Sequence, residues 1–518
     1  MNNTTGKENF LKGTISVSLA VILTKIMGVL YKVPLSYLLG DEGMGYFNSA
    51  YAIYSFFYIL CTSGVPKAIT LSVMKYRDSN QSASYNVIRC GLILFLKIGV
   101  LIALMSIIFA PAIVNIIGSK KSLYTLLAIS PTIIFVSVSG VLRGCLNTYN
   151  KLTGLALSQL LEAFLKLILG LSFAFLGYRL RLHISLISAM CVLGITIGSL
   201  ICMIYLFISY KKIFKNEKIG QSFILDYKET KHNIFKIAIP ISLGAAVLNL
   251  GSIIDLGVIM RRLSDSGLSE SERSALYGNY TTLAVPMFNL VVSLISPIML
   301  AFLPHLVKSV NSKDYNGFHK SIEKMFLANN IIAIPAFLAL YFYSFELLDI
   351  LFSVSSSAIA CDLLRTLSVG IVLISLLTVI NTVLEAKGKI ALTVLSLVIG
   401  GIVKAIGNYI LIARIGIYGA PVSTVISYAV SLAISLCALR VCGVKIRILR
   451  MCIPEIVAGS VFFVFPYAYM YSKGKIHGGM TSAIVCMFLS CSLYFGFILA
   501  KNIGVNITKS VKNAQKAK

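Results

Sequence analysis

Apolar runs, each near the length needed to cross a bilayer, follow one another along this chain with only short polar breaks between them. A hydrocarbon core about 30 Å thick needs about 20 apolar residues per helix. Fourteen such runs fit between residues 13 and 500, beginning with 13–38 and 45–74 and ending with 452–471 and 479–500. The longest polar stretches, Lys211 to His232 and Arg261 to Ser274, are too short to bury a core of their own. With 57% hydrophobic and only 13% charged residues, a soluble fold is excluded. The expected class is an all-α polytopic membrane protein of fourteen transmembrane helices.

The first run starts near Gly13, carries Lys25 and is followed by no small-residue cleavage site, so it reads as a retained helix and not a removed signal. The net charge of +27 does not point to nucleic acid, because the basic residues sit at the ends of apolar runs and not on one soluble face. Lys75 with Arg77, Lys211 to Lys231, Lys308 to Lys324, Arg440 to Arg450 and the tail from Lys501 all fall on one set of alternating loops. Basic residues concentrate on cytoplasmic loops, so an even number of spans with both termini cytoplasmic in a bacterial cell membrane is expected. The acidic residues Asp41, Glu42, Asp265, Glu270, Glu272, Glu346 and Asp349 fall on the opposite loops. Eleven cysteines are scattered without a CxxC or a Cys/His cluster, which indicates neither a metal site nor a disulfide framework.

The basic loop after the sixth run divides the chain, and a shift of 238 residues lays Pro66 on Pro304, Lys151 on Lys389 and Lys166 on Lys404. An even number of spans separates the copies, so both enter the membrane in the same sense. That parallel repeat is the geometry of transporters that rock two halves about a central substrate. The expected organisation is an N-lobe at 1–215, a cytoplasmic linker at 216–232, a C-lobe at 233–445, two added helices at 446–500 and a basic cytoplasmic tail at 501–518. Proline at the repeat-related positions Pro66 and Pro304 predicts a bend in the second and eighth helices.

A charge at mid-bilayer costs at least about 2.5 kcal/mol on insertion scales, so buried charges face a cavity or a partner. Lys25 and Lys32 stand seven residues apart, two helical turns, on one face of the first helix. Lys67 follows Pro66, and its repeat position is His305. Lysine is a compact point charge suited to phosphate, so Lys25, Lys67, His305 and Lys32 are candidates for an anion-binding cavity. Lysines near span ends, Lys32 and Lys97 among them, also fit a snorkelling role. Glu162 and Lys166 are spaced i,i+4 and fit a structural ion pair. Asp255 is a candidate for pairing with a lysine of the other half or for binding a coupling proton or sodium ion, the only cofactor indicated, and Lys404, four residues before Asn408, is likewise central in its span. No GxSxG, P-loop or HExxH occurs, so a transporter is expected and not an enzyme.

The run KIMGVLYKVPLSYLLGDEGMGYFNSAYAIYSFFYILCTSGVPKAITLSV, Lys25 to Val73, resembles the stage V sporulation protein B branch of the multidrug/oligosaccharidyl-lipid/polysaccharide exporter superfamily, which is related to the lipid II flippases. The GDEGMG loop, Gly40 to Gly45, and the SGVPKAI turn, Ser63 to Ile69, carry most of the match. A second stretch, GIVKAIGNYILIARIGIYGAPVSTVISYA, Gly401 to Ala429, matches as well. The resemblance implies two six-helix lobes in a V around a cavity, two extra C-terminal helices, and alternating access. It implies a cargo of undecaprenyl-pyrophosphate-linked sugar, lipid II or a similar cell-wall or spore-cortex precursor.

The resemblance also implies a cavity lined by cations of helices one, two and eight, with Lys25 matching the basic residue of the first-helix motif. The chain departs from the flippase pattern at a second first-helix arginine, which falls near Tyr31 with Lys32 one place on. It departs again at the second-helix arginine, near Tyr58 or Ile59, where Lys67 and His305 are the compensating candidates. The sodium-binding acids of some flippases fall near Asp255 and Asn408, with Lys404 beside them as a tethered replacement for the ion. The expected partners are the anionic lipid-linked sugar and membrane lipids, with cell-wall synthesis enzymes as candidates and a monomer as the expected form. Two other readings stay open: a multidrug or cation antiporter of the same superfamily, which would want buried acids, and a non-transporting cell-wall scaffold.

Overall fold

The computed structural model describes residues 2–76, 80–215, 227–352, 358–444, 485–490, 492–494 and 496, with side chains from residue 20 onward except at 21, 22, 25, 29, 244, 247–250 and 300. The two added helices expected at 446–500 lie almost wholly outside these residues, and the tail at 501–518 lies wholly outside them. The described residues are helical and include no strand. In chain order the helices are α1 (Asn2–Met74), α2 (Gln81–Ile108), α3 (Ala110–Ile117), α4 (Leu123–Ile129), α5 (Thr132–Thr148), α6 (Leu152–Arg179), α7 (Ile184–Phe214), α8 (Tyr227–Asp265) and α9 (Glu270–Gly278). They continue as α10 (Val285–Asn311), α11 (Tyr315–Phe342), α12 (Ser344–Phe352), α13 (Ala358–Ala386), α14 (Ile390–Ile415) and α15 (Gly419–Val441).

Among the described residues nine helical stretches are long and apolar enough to cross a membrane. Two of them, Ile26–Met74 with 49 residues and Ile390–Val441 with 52, each have the length of two crossings. The first two apolar runs of the sequence are therefore joined, not separated by a loop. The join is at Gly40, whose φ of 60° and ψ of −175° break an otherwise helical backbone. Only glycine takes that region without strain, so the GDEGMG motif is a corner in α1. The corner is tied down from outside: Ser188 Oγ donates to the Gly43 carbonyl at 2.8 Å, and Lys121 Nζ donates to Glu42 Oε1 at 3.5 Å.

The SGVPKAI segment, expected as a turn, is also helix, and the backbone stays helical through Pro66. Its Gly64 serves packing, since a Cβ there would run into the Ala238 carbonyl of α8. Ser242 Oγ of α8 donates to the Leu60 carbonyl at 2.6 Å, where α8 lies against α1.

Two compact units result, Met1–Gly278 and Asn279–Lys518. The sequence repeat divides the chain at 216–232, whereas the compact units divide after Gly278, because α8 and α9 pack on α1. In the first unit α5, α6 and α8 surround α1, over a core that includes Val65, Ile69, Leu94, Leu142, Leu206 and Ile234. In the second unit α13 packs against α10, α11 and α15, and α14 pairs with α15 along a stripe of serines. Ser427 Oγ donates to the Gly400 carbonyl at 2.7 Å, Ser431 Oγ to the Ser396 carbonyl at 3.0 Å, and Ser435 Oγ to Asn381 at 2.9 Å. Small hydroxyl residues let two membrane helices approach closely while satisfying one another's polar groups.

Candidate functional site

A half-open cavity of about 590 Å³ lies between α1, α5, α6 and α7 of the first unit. Its position follows from how α5 meets α1. Gly140 and Gly144 stand one turn apart, and a Cβ at either would come within 2.7 Å of the carbonyl of Cys61 or of Pro66. Small residues at i and i+4 are the device by which membrane helices come together closely. That approach carries Arg143, one residue before Gly144, into the interior.

Arg143 meets α6 there. Its Nη2 donates to Glu162 Oε2 at 2.5 Å, and its Nε lies 3.3 Å from Ser158 Oγ. The second oxygen of Glu162 accepts from Lys166 Nζ at 2.6 Å, the i,i+4 pair legible in the sequence. The carboxylate thus holds two cations, one on each oxygen. The Arg143 and Glu162 side chains are each 9% exposed, whereas Lys166 is 20% exposed and reaches the cavity. The Lys166 ammonium also lies 5.2 Å from the centre of the Tyr58 ring, in range of its negative face.

Tyr58 ends an aromatic column on α1. Phe47, Tyr51, Tyr54 and Tyr58 recur every three or four residues, with neighbouring ring centres 5.5 to 5.7 Å apart. Tyr51 is the exposed member at 38% and lines the cavity with Phe47 and Tyr58. Lys32 lines the cavity from the first segment of α1, and among the described residues it has no ion-pair partner. The amides of Asn147 and Gln159 and the hydroxyls of Thr24, Tyr31 and Thr62 add to the polar lining. Among the described residues the cavity therefore offers three cationic side chains against one carboxylate, alongside aromatic surface.

The structure places the sequence candidates as follows. Lys32, Glu162 and Lys166 come together in this cavity. Lys25 is on α1, but its side chain lies outside the described residues. Lys67 is exposed and does not line the cavity, although Pro66 before it does. His305 is exposed on α10 in the second unit, and Lys97 is exposed on α2. Asp255 is half-buried on α8 of the first unit. Lys404 and Asn408 are on α14 of the second unit, half-buried and fully buried, and Asn408 accepts from Ser423.

Sequence reasoning missed Arg143. The signal was present: an arginine in the apolar stretch Thr132–Thr148, framed by glycines at 140 and 144. An arginine inside a span warrants the scrutiny given to the lysines. The repeat shows where the charge is special. Lys151 and Lys389 both cap the starts of their helices, α6 and α14, yet Asn381 stands at the position of Arg143 and Gly400 at that of Glu162. The second unit keeps a lysine at the position of Lys166, Lys404, and has neutral residues at the other two.

The family model described as polysaccharide biosynthesis protein matches residues 10–310, more than half of the chain. The chain belongs to the polysaccharide biosynthesis protein family. Members of this kind from Bacillus subtilis (strain 168) align over most of its length. Stage V sporulation protein B is 24% identical over 81% of this chain and 81% of its own. Lipid II flippase MurJ is 23% identical over 95% of this chain and 96% of its own. Among solved structures, lipid II flippase MurJ in an inward closed conformation superposes with a TM-score of 0.69 at 16% identity, covering 94% of this chain and 99% of that one. An inward-facing multidrug resistance MATE family transporter of the MOP superfamily gives 0.67 at 15% identity, covering 85% and 98%. The polysaccharide biosynthesis family member described here thus has the fold of the MOP transporters and is a multi-pass membrane protein.

Proposed function

We propose that this protein is a flippase that carries an anionic lipid-linked sugar across the cell membrane by alternating access, with both termini cytoplasmic. The observation that carries the reading is the charge of the cavity: Lys32, Arg143 and Lys166 against Glu162 alone leave an excess of two positive charges. Placing that excess inside a bilayer is expensive unless the cargo brings the opposite charge. A pyrophosphate diester between a polyprenyl chain and a sugar carries two negative charges and matches it. The exposed Tyr51 ring beside the cations offers a flat apolar face to a sugar ring. The flippase and sporulation relatives support a cell-wall or spore-cortex precursor as the cargo.

A cationic drug would meet repulsion here, because the one carboxylate of the cavity is already held by two cations. A scaffold that moves nothing has no use for buried charge around a cavity. The test is depletion of the protein in its host, followed by labelling of lipid-linked precursors in each leaflet. Accumulation on the cytoplasmic leaflet is the expected result, and unchanged leaflet distribution of every such precursor would overturn the proposal.

A further inference from the structure

We infer that Glu162 is the resident counter-ion of the empty cavity, and that anionic cargo binds by taking Lys166 from it while Arg143 stays in place. This rests on the flippase reading and assigns the positioning residue of that site. The two cations on Glu162 are not equivalent. Arg143 is embedded between α5 and α6, with Ser158 and Cys202 as further neighbours at 3.3 and 3.8 Å and glycines on either side that fix its helix against α1. Among the described residues Lys166 has one hydrogen-bond partner, the Glu162 oxygen at 2.6 Å, on the helix it shares with that partner. Its ammonium already faces the cavity, over the Tyr58 ring. Rotation of a lysine side chain about its flexible stem is enough to turn that ammonium from the carboxylate to a phosphate oxygen.

The exchange has a transport consequence. A carrier must return empty, and in the empty state unpaired cations in a closed cavity carry a desolvation penalty. Glu162 supplies the missing negative charge for that half of the cycle and gives it up when the cargo's own charge arrives. Glu162 is therefore in competition with the cargo: it weakens binding and speeds the return. A pair that only held α6 together would affect neither.

Glu162→Gln separates the two roles. The glutamine carbonyl still accepts from Arg143, and its amide N–H₂ cannot accept from Lys166, so the variant frees the lysine and keeps the arginine partnered. The probe is farnesyl pyrophosphate, titrated against the detergent-purified full chain, with farnesol as the uncharged control. The expected result is that Glu162→Gln binds farnesyl pyrophosphate about tenfold more tightly than the natural chain. In vesicles its translocation of lipid-linked sugar should show a lower KM and a lower kcat together. Glu162→Asp should return both toward the natural values. In a Lys166→Gln background, Glu162→Gln should bring no tightening, because the residue acts through the lysine.

Equal or weaker binding by a Glu162→Gln protein that still elutes as a monodisperse species would overturn the inference, as would tightening that persists without Lys166. If Glu162→Gln does not fold, the Glu162→Asp and Lys166→Gln proteins decide: Lys166→Gln must weaken farnesyl pyrophosphate binding while Glu162→Asp leaves it near the natural value. Failure of the natural chain to prefer farnesyl pyrophosphate over farnesol is a different outcome, and it would remove the flippase reading itself.

Discussion

Replacing Arg143 by methionine tests the central assembly of the first unit. Methionine fills much of the same space, so the change removes charge with little loss of packing. Taking one partner from a buried ion pair costs about 3 to 5 kcal/mol where the other charge is left alone. Here Glu162 keeps Lys166 at 2.6 Å, so the loss falls below that range, at about 2 kcal/mol. Loss of the Ser158 contact at 3.3 Å adds about 0.5 to 1 kcal/mol. The melting temperature should fall by roughly 5 °C or more on the scale of a few degrees per kcal/mol. The buried free thiols of Cys61, Cys145, Cys191 and Cys202 report the transition through a thiol-reactive fluorophore in detergent. Glu162→Gln alone also breaks the Arg143–Glu162 ion pair, so the loss in the double variant should be smaller than the sum of the two single losses. A melting point of Arg143→Met within about 1 °C of the natural protein, or single losses that add in full in the double variant, would refute the claim that the two residues form one buried unit.

Lys32→Gln should leave the protein in the membrane and lower the transport of lipid-linked sugar by about tenfold, since a charge-assisted contact to phosphate contributes about 1.5 to 3 kcal/mol; unaltered transport would return Lys32 to a snorkelling role. Gly144→Val places methyl groups where a Cβ already meets the Pro66 carbonyl at 2.7 Å, and the same thiol assay should show destabilisation of about 1 to 3 kcal/mol. Ser435→Ala leaves Asn381 Oδ1 and Ser396 Oγ short of a buried partner and should destabilise by about 1 to 3 kcal/mol, again read by melting. Tyr51→Leu should weaken binding of a sugar-bearing polyprenyl pyrophosphate more than that of the sugar-free lipid, because only the sugar would rest on the ring; equal weakening would place the sugar elsewhere.

Much of the membrane architecture is written locally in the chain. Spans are legible because a helix in lipid must satisfy its own backbone and show apolar side chains, so hydropathy over about 20 residues reports it directly. The Glu162–Lys166 pair is legible for a similar reason: both residues lie on one helix, and their i,i+4 spacing alone brings them within reach. The motif residues Gly40 to Gly45 and Ser63 to Ile69 were visible as special, yet their form was not, since a polar break between apolar runs looks alike whether it is a loop or a corner.

What the tertiary structure decided are the meetings between helices. Arg143 reaches Glu162 across 19 residues of chain because glycines bring α5 against α1, and no periodicity within a span encodes which face turns inward or whose partner it meets. The same holds for α8, which a repeat in sequence assigns to the second half and packing assigns to the first unit. In lipid both faces of a helix are apolar, so the contrast that reveals a buried face in water is missing. Sequence alone therefore determined that this chain crosses the membrane many times and carries cations within it. Only the packing determined that Lys32, Lys166 and the overlooked Arg143 face one cavity with, among the described residues, a single carboxylate.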